Sequence, residues 1–69
     1  MNTPKYTQVN ETFLTESEMA KLLNVSQRWL IQDRYLGKNL APPYIKLGRM
    51  VRYPLSAYEK WLATKNGEM

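Results

Sequence analysis

Asn24-Val25-Ser26-Gln27-Arg28-Trp29-Leu30-Ile31-Gln32-Asp33-Arg34-Tyr35-Leu36-Gly37 is a stretch with its own start and stop signals. Ser26 suits a helix N-cap, because its hydroxyl can accept from the free N–H groups of the first turn, and Gly37 can take the left-handed conformation that ends a helix. Between them Trp29, Leu30, Asp33 and Leu36 fall near one face, and Gln27, Arg28, Ile31, Gln32 and Tyr35 lean toward another. The second face offers guanidinium and amide groups, the side chains that pair with base edges. A short helix is expected here, with Trp29 and Leu30 in the core and the polar face open to nucleic acid.

Upstream, Phe13-Leu14-Thr15-Glu16-Ser17-Glu18-Met19 marks a helix start. Thr15 and Glu18 have capping-box spacing, and Leu14 and Met19 have the spacing of a hydrophobic staple. The helix should run from about Glu16 to Leu23, burying Met19, Ala20, Leu22 and Leu23, with Glu16 and Glu18 favoured by its dipole. These carboxylates are therefore expected to serve as caps. Asn24-Val25 leaves room only for a tight turn, with Asn24 left-handed, so the two helices must cross. Ala20 is small enough to let them approach, and Val25 and Leu30 can fill the angle between them. Helix, short turn and polar-faced helix is the helix-turn-helix pattern.

Downstream, the paired prolines of Lys38-Asn39-Leu40-Ala41-Pro42-Pro43 forbid both helix and central strand, so this is a loop. Tyr44-Ile45-Lys46-Leu47 and Met50-Val51-Arg52-Tyr53 are two strand-forming runs around Gly48-Arg49, which predicts a hairpin with Lys46 and Arg52 exposed and Arg49 at its tip. Pro54 to Lys65 should form a third helix, opened by a second capping box from Ser56 and Glu59 and burying Leu55, Tyr58, Trp61 and Leu62. The expected fold is mainly α with a small β-hairpin: three helices plus a two-stranded wing across residues 13–65. Residues 1–12 are read as a flexible N-terminal arm and residues 66–69 as a frayed end.

With 69 residues there is room for one domain, which buries only about 60% of the surface its unfolded chain exposes. Cysteine and histidine are both absent, so thiolate ligands, disulfides, the commonest metal ligand and the commonest general base are all missing. The three glycines all stand at turns, which leaves no phosphate-cradling loop. No enzyme, metal or cofactor is expected. No apolar run approaches the roughly 20 residues of a membrane span, and the polar start lacks a signal peptide's apolar region, so a cytoplasmic protein without membrane contact is expected.

Net charge is +4, unevenly distributed. Six of the ten cations, Arg28, Arg34, Lys38, Lys46, Arg49 and Arg52, lie between positions 26 and 53 against one carboxylate, Asp33. Such a localised excess is the footprint of a polyanion partner. The arm carries Lys5 as its only cation, which argues against a DNA-contacting role for it.

Phe13-Leu14-Thr15, Ala20 to Ser26, Pro43 to Arg49, Val51-Arg52-Tyr53 and Tyr58 to Leu62, in that order, resemble the small MerR-like winged-helix proteins of the excisionase and AlpA type. The resemblance covers about residues 13 to 63. It implies a winged helix-turn-helix whose second helix enters the major groove while the hairpin contacts neighbouring backbone or the minor groove. It also implies a phage or integrated element as source, and either a recombination directionality factor that helps an integrase excise DNA or a transcription regulator. Asp33 stands where many relatives have a core tryptophan, and the segment from Lys38 to Pro42 is longer than usual.

Four residues are the candidate base contacts. Arg28 can bond guanine bidentately, Gln27 and Gln32 can read adenine, and Ile31 can meet a thymine methyl; the alternative for all four is a merely solvated face. Ser26, Lys46, Arg49 and Arg52 are candidate phosphate contacts, which set register and affinity. Arg34 can be structural or DNA-facing, Lys38 is left open in the same way, and Asp33 can pair with Arg34 or with a cation across the domain. The expected partners are double-stranded DNA, a tyrosine or serine integrase, and further copies side by side on DNA. A protein-interaction adapter is the remaining class, and the concentrated charge argues against it.

Overall fold

Three short segments, Phe13–Thr15 (β1), Ile45–Leu47 (β2) and Met50–Pro54 (β3), pair into an antiparallel sheet of order β1-β3-β2 in the computed structural model, which describes residues 11–67. Three helices accompany it: Glu16–Leu23 (α1), Gln27–Leu36 (α2) and Leu55–Gly67 (α3). The molecule is thus a small α/β domain, and the expected two-stranded sheet is in fact three-stranded.

Three residues are too few to carry strand periodicity, and Thr15 reads in the sequence as a cap. It is both cap and strand. An N-cap residue has extended dihedrals, here φ −73° and ψ 167°, so the strand runs straight into α1. The capping box is formed as expected: Thr15 Oγ1 accepts from Glu18 N at 3.1 Å, and Glu18 Oε1 accepts from Thr15 N at 2.8 Å. Strand pairing sets Leu14 opposite Tyr53, Thr15 opposite Arg52, Lys46 opposite Val51 and Leu47 opposite Met50. Alternation then divides the sheet. Leu14, Val51 and Tyr53 share the inward face, and Phe13, Ile45, Leu47, Met50 and Arg52 share the outward one.

α1 and α3 pack against β3 and α2 packs on α1, and the core is Met19, Ala20, Leu30, Val51 and Tyr53, ringed by Leu14, Leu23, Val25, Ala41 and Tyr58. Asn24 is left-handed at φ 61°, and Val25 N donates to Ala20 O at 3.0 Å, so the turn between the helices closes tightly over Ala20. Leu22 and Leu62, expected in the core, are half exposed, as is Trp29 at 38%. Helical periodicity identifies a face but not its cover. In α2 the inward positions are taken by Leu30 and Asp33, which leaves Trp29 at the rim beside Leu36 and Leu40.

Asp33 is buried, and its partner is backbone. Oδ1 accepts from Leu40 N at 2.9 Å and Oδ2 from Ala41 N at 3.2 Å, so neither the expected Arg34 nor a distant cation pairs with it. The carboxylate satisfies two loop N–H groups that no strand or helix would serve, and it folds the long Lys38–Pro42 segment onto α2.

β3 passes into α3 without a loop. The capping box expected from Ser56 and Glu59 is replaced by a partner from the other end of the chain: Ser56 Oγ donates to Glu11 Oε1 at 2.6 Å, and Ser56 N donates to Glu11 Oε2 at 3.1 Å. Leu55 N donates to Thr12 O at 2.8 Å. Glu11 and Thr12 therefore belong to the folded body rather than to the expected arm, whose remaining residues, 1–10, lie outside the described ones. Asn66 and Gly67 fall inside α3 instead of beyond it, and 68–69 are not described.

The Ser56 hydroxyl, and then its N–H, hold the Glu11 carboxyl below its ordinary range. A depressed acid contributes stability that is present above its unfolded value and lost as pH falls through the folded one. The acid limb of a thermal-unfolding profile should therefore flatten in Glu11→Gln relative to wild type, with the two converging at the lowest pH.

Candidate nucleic-acid interface

Both expected caps of α2 are present. Ser26 Oγ accepts from Trp29 N at 3.0 Å, and Gly37 takes φ 66° with its N–H on Asp33 O. Leu30 and Asp33 turn inward, so Arg28, Ile31, Gln32 and Tyr35 share an open face, with Gln27 at one edge of it. Of the four candidate base contacts, all are exposed. Tyr35, at 86% exposure, stands in the middle of that face, and its place among polar neighbours was the available signal for it.

Arg34, half-buried at the edge of this surface, is engaged internally. Its Nη2 donates to Glu16 Oε2 at 2.7 Å, with side-chain exposures of 19% and 13%, and its guanidinium lies 5.7 Å from the Tyr44 ring centroid. The same Glu16 oxygen is 3.4 Å from the Tyr53 hydroxyl, a long hydrogen bond. Arg34 thus ties α2 to α1 and to the sheet, and it also lines the cleft beside the hairpin. Glu16, expected only as a first-turn charge, acquires a second role that no local spacing could disclose.

In the β2–β3 hairpin, Gly48 takes φ 64° at the first of two turn positions and Arg49 follows without a positive φ, the pattern of a type II′ turn. Lys46 and Arg49 are exposed. Arg52, expected exposed, is half-buried, because Nη1 donates to Val51 O at 2.9 Å and Nη2 lies 3.5 Å from Met50 Sδ. These three cations line one open cleft of about 360 Å³ with Gln27 and Arg34 of α2 and with Thr15, Glu16 and Ser17 at the start of α1. Among the described residues the one ion pair is Arg34–Glu16, so the Glu16 carboxylate in the cleft is taken by Arg34 and the hairpin cations are within ion-pair distance of no carboxylate.

The chain matches no protein-family model, no curated protein and no solved structure. Gln27 joins the open face of α2 to the cleft, and the hairpin forms its other wall. Arg28, Ile31, Gln32 and Lys38 do not line the cleft; Gln32 and Lys38 instead border a groove of about 90 Å³ with Trp29, Leu36 and Leu40. Among the described residues no helix is long and apolar enough to cross a membrane.

Proposed function

We propose that this chain is a winged helix-turn-helix DNA-binding protein, in which α2 reads the major groove and the β2–β3 hairpin is the wing that grips the backbone beside it. The observation that carries this is the cleft in which Gln27 meets Lys46, Arg49 and Arg52, cations with no ion-pair partner among the described residues. Uncompensated cations beside an amide-bearing helix face match the division of labour at DNA, where phosphate contacts position and base contacts specify. Through its resemblance to excisionases, the protein is assigned to a phage or integrated element as a recombination directionality factor. It would bind attachment-site DNA in side-by-side copies and assist a tyrosine or serine integrase. Footprinting on DNA flanking its gene separates this from control of transcription alone: protection at an attachment site supports excision, and protection confined to a promoter overturns it.

Substitutions test the surface. Arg28→Ala should reduce discrimination against the wrong base by about 1–3 kcal/mol while leaving nonspecific affinity nearly unchanged. Arg49→Ala and Arg52→Ala should weaken specific and nonspecific binding alike, each lowering the slope of log affinity against log salt by about one. Affinities equal to wild type in all three variants would sink the assignment.

A further inference from the structure

We propose that the tip of the β2–β3 hairpin is a wedge that opens a DNA base step: the cross-strand pair Leu47 and Met50 enters the minor groove beside Arg49 and kinks the duplex. This rests on the DNA-binding function above and adds to it a specific act at the wing.

Leu47 and Met50 are paired across the two strands immediately before and after the turn, and they are 51% and 49% exposed. A domain this small needs its large apolar groups inside, so a paired exposure at a hairpin's extremity calls for an occupant. Both residues lie on the outward sheet face, opposite to Val51 and Tyr53, and each keeps about half of its surface open to solvent. Because Gly48 permits a two-residue turn, the end of the hairpin consists of little more than this pair and Arg49.

Charge decides what the occupant is. Arg49 stands in the turn between the pair, and Arg52, on the same outward face, reaches Met50 Sδ with its guanidinium. A second copy of the chain on this face would bring like charges together, whereas a base step is an apolar surface flanked by phosphates on both sides. Apolar wedges of Leu, Ile or Met beside basic residues are a recurrent means of prising such a step apart. The ordinary minor groove is only about 6 Å wide, so a two-stranded tip can enter only if the groove widens, and unstacking provides that.

The test uses the whole chain and an end-labelled duplex of about 30 base pairs with 2-aminopurine at a central TA step, a step that kinks readily. Wild type should shorten the end-to-end distance by energy transfer and raise 2-aminopurine fluorescence. Leu47→Ala with Met50→Ala should lose both signals while affinity falls by no more than about tenfold, since lost contacts and avoided unstacking offset one another. The exchange Leu47→Met with Met50→Leu keeps two apolar side chains and should retain both signals, and circular dichroism confirms folding of each variant. Bending by the double alanine variant equal to that of wild type overturns the wedge and leaves DNA binding standing, as does wild-type binding with neither signal. Failure of wild type to bind any duplex at low salt overturns the DNA-binding assignment itself. A concentration-dependent dimer in the absence of DNA, abolished by the double variant, would assign the pair to self-association and overturn the wedge.

Discussion

Replacing Asp33 with alanine should lower unfolding free energy by about 2–4 kcal/mol, since two backbone N–H groups lose a charged acceptor at once. Asp33 is 9% exposed, and its bonds to Leu40 N and Ala41 N are what hold the loop against α2. Pro42, the next residue, is fully buried, so release of the loop also uncovers apolar surface. For a domain of 69 residues the whole stability is expected to be about 3–10 kcal/mol, so this one change should unfold a measurable fraction at ambient temperature. Urea denaturation followed by tryptophan fluorescence reads the effect directly. Asp33→Asn keeps one carbonyl acceptor and should show about half the loss. A midpoint for Asp33→Ala within error of wild type would mean that the loop is held by its prolines alone.

Glu16→Ala should be nearly as damaging, at about 2–3 kcal/mol, because it strands the Arg34 guanidinium in a largely buried site. Nε of Arg34 already lacks a hydrogen-bond partner, and removing Glu16 would leave contact with the Tyr44 ring as the main compensation. The cost arises from the unpaired charge rather than from the pair itself, so Glu16→Ala combined with Arg34→Met should recover much of the loss. A double variant as unstable as the sum of the singles would show instead that the two residues are not energetically coupled. The same cluster shapes the alkaline limb. Burial, and then the negative charge of Glu16, push the Tyr53 hydroxyl from 10.0 up to about 12. An acid raised in this way favours the folded state below its unfolded value and ceases to do so as pH climbs through the folded one. Stability should thus fall between about pH 10 and 12, and Glu16→Gln should narrow that window by removing the second cause.

What was legible in the chain was local. The Thr15–Glu18 box, the Ser26 and Gly37 caps, the left-handed Asn24 and the hairpin around Gly48-Arg49 depend on residues at most three or four apart, and all are present. Strand β1 and the Glu11 cap depend on pairing with Pro54 and Ser56, far along the sequence, and a three-residue strand leaves no pattern to betray it. Asp33 was opaque for a related reason, since its partners are backbone groups that every sequence possesses. At the candidate interface the open face of α2 followed from periodicity, whereas the role of Arg34 required knowing where α1 crosses. Trp29 shows the limit in the other direction, because hydrophobicity could not say that α2 has more apolar residues than its neighbours cover.

The junction of β3 with α3 has a mechanical consequence. Pro54 ends the strand and Leu55 begins the helix, while Glu11 and Thr12 clamp the first turn, so the joint has no slack segment in which to bend. Thirteen residues of helix make a lever arm of about 20 Å, pivoted on the strand that carries Arg52 and Met50. A tilt of the hairpin by a few degrees is then magnified to a displacement on the order of 1–2 Å at the far end of α3. A copy seated against that end would sense the angle of the hairpin without touching it.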